Sequence, residues 1–192
     1  MIPGVILAGG LARRMGGGDK SLRMLGGQTI LQRVIDRLRP QVSTIALNAN
    51  GDATRFASYG LPVLPDPVGE FPGPLAGVLA GLDWAADQGA DAIITVAADT
   101  PFFPKTLAAD LQAAANGAPI ALAATDGRHP TFGYWSATLR DDLRASLEDG
   151  VRKVVLWTDR HGAATVQFPA DPFDPFFNIN TPDDLALAEG LL

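Results

Sequence analysis

A chain of 192 residues that is 47% hydrophobic and has no cysteine can bury one substantial core, and it excludes disulfides, thiolate metal sites and cysteine nucleophiles. Its net charge of −6 argues against a nucleic-acid binder, which needs a broad basic surface, and no apolar run reaches the ~18 residues of a membrane span. With no signal-peptide pattern at its start, the chain is expected to be a single α/β domain, residues 1–192, acting as a monomer in the cytoplasm.

Residues 4–8 are an apolar run bounded by Pro3 and Gly9, which predicts a buried parallel strand. The strand runs into Gly9-Gly10-Leu11-Ala12-Arg13-Arg14-Met15-Gly16-Gly17-Gly18-Asp19-Lys20. Glycines let backbone N–H groups face an anion unobstructed, and Arg13, Arg14 and Lys20 add the charge a polyphosphate needs. The loop is not the ATPase P-loop, because Asp19 precedes Lys20-Ser21, and not the dinucleotide fingerprint, because Leu11 follows Gly9-Gly10. Arg13, Arg14, Lys20 and Arg23 cluster around one acid, Asp19, so a basic patch on an acidic chain points to a small phosphorylated ligand.

Ile30, Leu31, Val34, Ile35 and Leu38 recur at helical spacing, and Pro40 ends that helix. Residues 43–49 predict a second strand and 61–64 a short third. Gly73-Pro74 starts a helix striped by Leu75, Val78, Leu79 and Leu82, which Gly89 ends. Residues 92–98 are apolar on both faces and predict the central strand, stopping at Asp99-Thr100-Pro101. A helix after Pro104, strands near 119–124 and 131–136, a helix over 137–149, a short helix at 151–157 and a last strand near 164–168 follow. Thr181-Pro182-Asp183-Asp184 marks a final helix start.

Alternation of strands and helices predicts a three-layer, Rossmann-like fold, a mostly parallel sheet with helices on both faces and ligands at the strands' carboxyl ends. Asp99 is placed there to hold a divalent cation, although an Asp before Thr-Pro also serves as a plain turn former. Asp66 and the Gly/Pro-rich segment 69–77 form either a rigid connector or a wall for a nucleoside. Asn48 with Asn50, and Asn178 with Asn180, each set two amides on one side of an extended segment, or serve turns. His129 reads as packed or exposed, His161 as a surface residue, and Phe173, Phe176 and Phe177 as core or lid packing.

Several blocks together resemble the molybdenum cofactor guanylyltransferase family across nearly the whole chain: Leu7-Ala8-Gly9-Gly10 with Arg14-Met15-Gly16-Gly17 and Asp19-Lys20; Asn48-Ala49-Asn50; Asp66 with Gly73-Pro74-Leu75-Ala76-Gly77; Asp99-Thr100-Pro101; His129-Pro130-Thr131; Gly150-Val151-Arg152-Lys153; and Asn178-Ile179-Asn180-Thr181-Pro182. The first block is shared with many sugar-phosphate nucleotidyltransferases, and the later blocks narrow the resemblance. It implies transfer of GMP from GTP to the phosphate of molybdenum-loaded molybdopterin, with pyrophosphate released. By the same resemblance, Leu7, Ala8, Gly9, Lys20, Asn48, Asp66 and Asp99 bind GTP, Asp99 binds Mg²⁺, and Asn178 and Asn180 face the acceptor. Arg14, Lys20 and Asp99 are the expected catalytic groups of a direct in-line displacement.

Gly9, where cytidylyltransferase relatives carry alanine, favours guanine. A cytidylyltransferase for the same acceptor, a sugar-1-phosphate guanylyltransferase and a non-catalytic nucleotide-binding cofactor chaperone are the alternatives. The family also implies transient contact with the protein that delivers the cofactor and with recipient molybdoenzymes.

Overall fold

The computed structural model of the chain describes residues 1–9, 19–69, 73–151 and 153–192. Its main sheet has seven strands: β1 (Gly4–Leu7), β4 (Ile45–Asn48), β5 (Val63–Leu64), β6 (Ala92–Ala97), β7 (Ile120–Ala124), β8 (Arg128–Ser136) and β9 (Ala164–Gln167). The order is β5-β4-β1-β6-β8-β7-β9, and only β8 runs antiparallel to its neighbours. A hairpin of β2 (Met24–Leu25) and β3 (Gln28–Thr29) lies outside this sheet and has no counterpart in the sequence reading. Two-residue strands are too short to show a period.

The helices are α1 (Ile30–Leu38), α2 (Pro74–Asp87), α3 (Leu107–Ala114), α4 (Arg140–Glu148), α5 (Val154–Arg160) and α6 (Pro182–Glu189). The short helix expected at 151–157 therefore begins later, after Lys153, and the turn opened by Pro104 becomes helical only at Leu107.

Strand alternation divides the core into two layers. Ile6, Ile94 and Ala121 join Leu31, Val34 and Leu38 of α1 and Leu107 and Leu111 of α3 on one face of the sheet. Their chain neighbours Val5, Ile93, Ile120 and Leu122 join Leu75, Leu79 and Leu82 of α2, Leu143 and Leu147 of α4 and Trp157 of α5 on the other. Successive residues of a strand point to opposite faces, so an apolar run long enough to serve both faces has to be covered by helices on both.

Helix α2 approaches its face closely through glycines. A Cβ on Gly81 would lie 2.7 Å from Ile93 and 2.8 Å from Val5, and one on Gly77 would lie 2.2 Å from the Asn48 side chain. The apolar stripe Ile30, Leu31, Val34, Ile35 and Leu38 makes α1 amphipathic, and the helix is capped by Thr29 Oγ1 accepting from the Gln32 N–H at 3.1 Å.

A small satellite core of Leu25, Ile30, Phe102, Ile179 and Ala188 ties the hairpin and α6 to the segment after Asp99. No helix among the described residues is long and apolar enough to cross a membrane.

Candidate active site at the carboxyl ends of β1, β4 and β6

Chain order reverses direction across the sheet between β1 and β6, since β4 and β5 lie on one side of β1 and β6 on the other. Crevices at such reversals, beyond the strands' carboxyl ends, are where open α/β sheets bind ligands. Leu7 ends β1, Asn48 ends β4, and Asp99 follows β6 by two residues. Hydrogen bonds from Ala8 N to Asn48 O at 2.8 Å and from Ala98 N to Leu7 O at 3.1 Å keep the three segments in register just past the ladder.

Two side-chain groups form there. In the first, Asn48, Asn50 and Asp66 lock together. Asn48 Nδ2 donates to Asp66 Oδ1 at 2.8 Å and to Leu64 O at 3.1 Å. Asn50 Nδ2 donates to Asp66 Oδ2 at 2.7 Å, and Asn50 Oδ1 accepts from the Asp66 N–H at 2.9 Å. The Asn-x-Asn spacing does put both amides on one side, and what they grip is a carboxylate whose oxygens are thereby fixed in direction.

Asn48 is 4% exposed, and it fits because Gly77 presents no side chain to it. Gly77→Ala is expected to displace Asn48 and to weaken the nucleotide binding expected of Asn48 about tenfold, since a shift of ~1 Å in a positioning group is costly. Titration with a fluorescent GTP analogue checks this, and an unchanged affinity in the folded variant would remove Asn48 from the binding site.

In the second group Lys20, Asp99, Thr100, Asn178 and Asn180 converge. Lys20 Nζ donates to Asn180 Oδ1 at 2.7 Å and stands 4.0 Å from Asp99 Oδ2. Thr100 Oγ1 donates to Asp99 Oδ1 at 3.2 Å and is also bonded to Asn178 Oδ1. Burial raises the Asp99 pKa above the ordinary aspartate value, opposed by the Lys20 charge and the Thr100 hydrogen bond.

Asn178 and Asn180 do not directly follow a strand; a long loop after β9 brings them in. Ile179 between them is 0% exposed, and its N–H donates to Asp99 O at 3.0 Å. The buried Ile179 thus pins the segment and leaves its two neighbours on the site.

Helix α6 completes this support. Thr181 and Asp184 form a capping box, and Asp184 Oδ2 accepts from the Asn180 N–H at 2.9 Å and the Thr181 N–H at 2.8 Å. Burial works against ionisation of Asp184, but the bonds from Asn180 and Thr181, with Lys20 nearby, outweigh it and hold its pKa below the usual carboxylate range.

Thr100 and Asp184 were not singled out as site residues in the sequence. The Thr181-x-x-Asp184 cap was legible as a helix start, whereas its grip on Asn180 was not.

Arg14, with Gly10, Arg13, Met15, Gly16 and Gly17, lies outside the described residues, as do residues 70–72 and Arg152. His129 is packed: it stacks on Phe176 with ring centroids 4.5 Å apart and bonds Thr125 through Nε2 at 2.8 Å. Burial lowers its pKa against the opposing charge of Asp174. His161 lies partly exposed at the surface, where Nε2 meets Asp142 Oδ2 at 2.9 Å and the ring lies 4.4 Å from that of Trp157. Phe176 is core, and Phe173 packs edge-on against Phe102.

Asp99 offers a hard oxygen donor suited to Mg²⁺. Among the described residues no group of three or more His, Asp or Glu side chains forms an all-protein cage. The single Asp99 carboxylate fits magnesium, which takes one or two carboxylates and completes its shell with substrate phosphates and water.

The MobA-like NTP transferase domain model matches residues 4–163. The molybdenum cofactor guanylyltransferase of Rhodopseudomonas palustris (strain BisB5) is 56% identical over 193 aligned residues, covering 97% of this chain and 92% of that protein. That of Bradyrhizobium sp. (strain ORS 278) is 55% identical, covering 99% and 92% respectively. In fold, the chain resembles the crystal structure of molybdopterin-guanine dinucleotide biosynthesis protein A from Archaeoglobus fulgidus, with a TM-score of 0.81 at 24% identity over 99% of this chain and 98% of that one. With its reversal-point site built and its sequence matched over most of its length, the chain belongs to the MobA-like NTP transferase family.

Proposed function

We propose that this protein is a molybdenum cofactor guanylyltransferase, moving GMP from GTP onto the phosphate of molybdenum-loaded molybdopterin and releasing pyrophosphate. The observation that carries the reading is the meeting of Lys20, Asp99 and Asn180 beside the β1 and β6 ends, next to the Asn48–Asn50–Asp66 clamp. One group suits phosphates and the other a nucleoside, and relatives more than 50% identical over the chain carry that enzyme's name.

In this reading Leu7, Ala8 and Gly9 lie against the nucleotide, and Asn48 and Asp66 hold the nucleoside. Lys20 and Arg14 meet the phosphates, and Asn178 and Asn180 face the acceptor. The acceptor's phosphate oxygen bonds to the α-phosphorus of GTP as the bond to the β-phosphate bridging oxygen breaks, and pyrophosphate carries that electron pair away. No side chain becomes covalently modified. The protein's part is alignment and charge neutralisation by pre-placed donors. Asp99 would hold Mg²⁺, which when bound would add charge neutralisation on the phosphates.

The chain would work as one unit, its N-terminal part mainly binding GTP and its C-terminal part mainly the acceptor, as a cytoplasmic monomer. Receipt of the acceptor from a delivering protein and hand-over to recipient molybdoenzymes complete the proposal.

The test is pyrophosphate release by the purified protein with Mg²⁺ and molybdenum-loaded molybdopterin, supplying GTP, CTP or ATP in parallel. Release with GTP alone is expected. Release with CTP alone would overturn the base assignment, turnover only with a sugar 1-phosphate would overturn the acceptor, and nucleotide binding without release would make the protein a cofactor chaperone.

A further inference from the structure

A seven-residue 3-10 segment, Ala53–Tyr59, follows β4, and its Arg55 joins the two halves of the site. Arg55 Nη2 donates to Asn50 O at 2.7 Å, and Nη1 donates to Asp52 O. On its other side Arg55 forms an ion pair through Nε with Asp19. The guanidinium carbon lies 4.5 Å from the ring centroid of Phe56, which is 0% exposed, so the plane is held by cation–π stacking on a fixed surface. Neither partner is freely solvated: the side chains of Arg55 and Asp19 are 28% and 19% exposed.

What this pair connects gives it meaning. Asp19 caps the 3-10 turn Lys20–Leu22, with its carbonyl accepting from the Leu22 N–H at 3.1 Å. Asn50 is the residue whose side chain grips Asp66 from both its amide atoms. One planar guanidinium thus spans from the residue before Lys20 to the backbone of the nucleoside clamp. Asp19 also puts a negative charge beside the lysine that faces the phosphates, and an unpaired carboxylate there would repel a triphosphate.

We propose that Arg55 is a positioning residue for nucleotide binding: paired with Asp19 and bonded to Asn50 O, it holds Lys20 in register with the Asn48–Asn50–Asp66 clamp and neutralises the Asp19 carboxylate. The proposal rests on the assignment of these two groups to the nucleotide. Lysine does not replace arginine here, because a compact ammonium cannot span the two carbonyls, Asn50 O and Asp52 O, that separate guanidinium nitrogens reach while also standing beside the Asp19 carboxylate.

The test is a double-mutant cycle of Arg55→Ala and Asp19→Asn, read by steady-state pyrophosphate release and by titration with a fluorescent GTP analogue, with circular dichroism as the folding check. Arg55→Ala is expected to raise the KM for GTP about tenfold and to leave the KM for the acceptor unchanged. Arg55→Lys is expected to recover little. In the Asp19→Asn background the same Arg55→Ala change is expected to cost less than about twofold, because the link and the charge it cancels are already gone.

If the effects of the two substitutions simply multiply, or if Arg55→Ala lowers thermal stability without moving the GTP KM, the proposal is wrong. Should Arg55→Ala fail to fold through loss of cover over Phe56, Arg55→Gln, which keeps the stem, replaces it in the cycle. Wild-type protein that binds no nucleoside triphosphate would defeat the site assignment itself, whereas wild type and Arg55→Ala binding GTP equally would defeat only the role of Arg55.

Discussion

Asp99→Asn is expected to lower kcat/KM by about 10³-fold or more while leaving the protein at least as stable as the wild type. In the proposed mechanism the activity loss follows from removing the carboxylate that pairs with Lys20 and is suited to a divalent cation. The stability statement follows from the raised pKa. Burial disfavours the ionised form of Asp99, so the folded state takes up its proton at a higher pH than the unfolded chain does. Its contribution to folding is therefore fully present below the unfolded-state pKa of about 3.9 and is lost as pH rises through the folded-state value.

At neutral pH the charged Asp99 is a net cost, and an isosteric neutral amide relieves it. Thermal unfolding near pH 7.5 should give an equal or higher Tm for Asp99→Asn. A lower Tm together with retained turnover would make Asp99 a turn former and nothing more. The same shift predicts that, without metal or nucleotide, the Asp99 carboxyl titrates at a pH above that of an exposed aspartate, which NMR can follow.

Lys20→Met should reduce kcat/KM by about 10²- to 10³-fold, the range seen when one pre-placed donor to transition-state charge is removed. Lys20 has its direction set before any ligand arrives, because Asn180 Oδ1 accepts a hydrogen bond from its Nζ at 2.7 Å and Asn180 is in turn held through its backbone by Asp184. Methionine keeps most of the stem volume, so the loss reads charge and not packing. Lys20→Arg should not restore activity, since a guanidinium is wider and its fork does not fit the single acceptor that positions the ammonium.

A second readout separates this role from simple attraction of anions. Lys20 lowers the Asp99 pKa, so its removal should push that pKa further up. In Lys20→Met the acid limb of the Asp99 titration, followed by NMR without metal or nucleotide, should move to higher pH. A limb that stays in place would show that the two groups act independently.

Most of the architecture could be read along the chain. The two-faced apolar runs 4–8 and 92–98, the apolar stripe of α1 and the Gly73-Pro74 start each carry a period or a breaker with one physical meaning. The glycine-rich basic loop, Lys20 and Asp99 could be named as candidates from their residue types beside apolar runs, whereas the two Asn-x-Asn pairs gained roles only through the family resemblance. Less visible were the two-residue strands of the β2–β3 hairpin and the 3-10 segment Ala53–Tyr59, whose spans are too short for periodicity to act.

Composition and pattern thus specified a sheet covered on both faces, since burial of apolar faces is a local demand written residue by residue. Which carboxylate meets which amide was decided only in three dimensions. Asp66 is claimed by Asn48 and Asn50, Lys20 by Asn180, Asp19 by Arg55, and Asn48 has room because of Gly77. Each pair comes from different elements, brought together by the parallel crossovers of the sheet and the return of α6. Partner choice among chemically equivalent polar groups depends on distance and direction, and neither exists until the chain has packed.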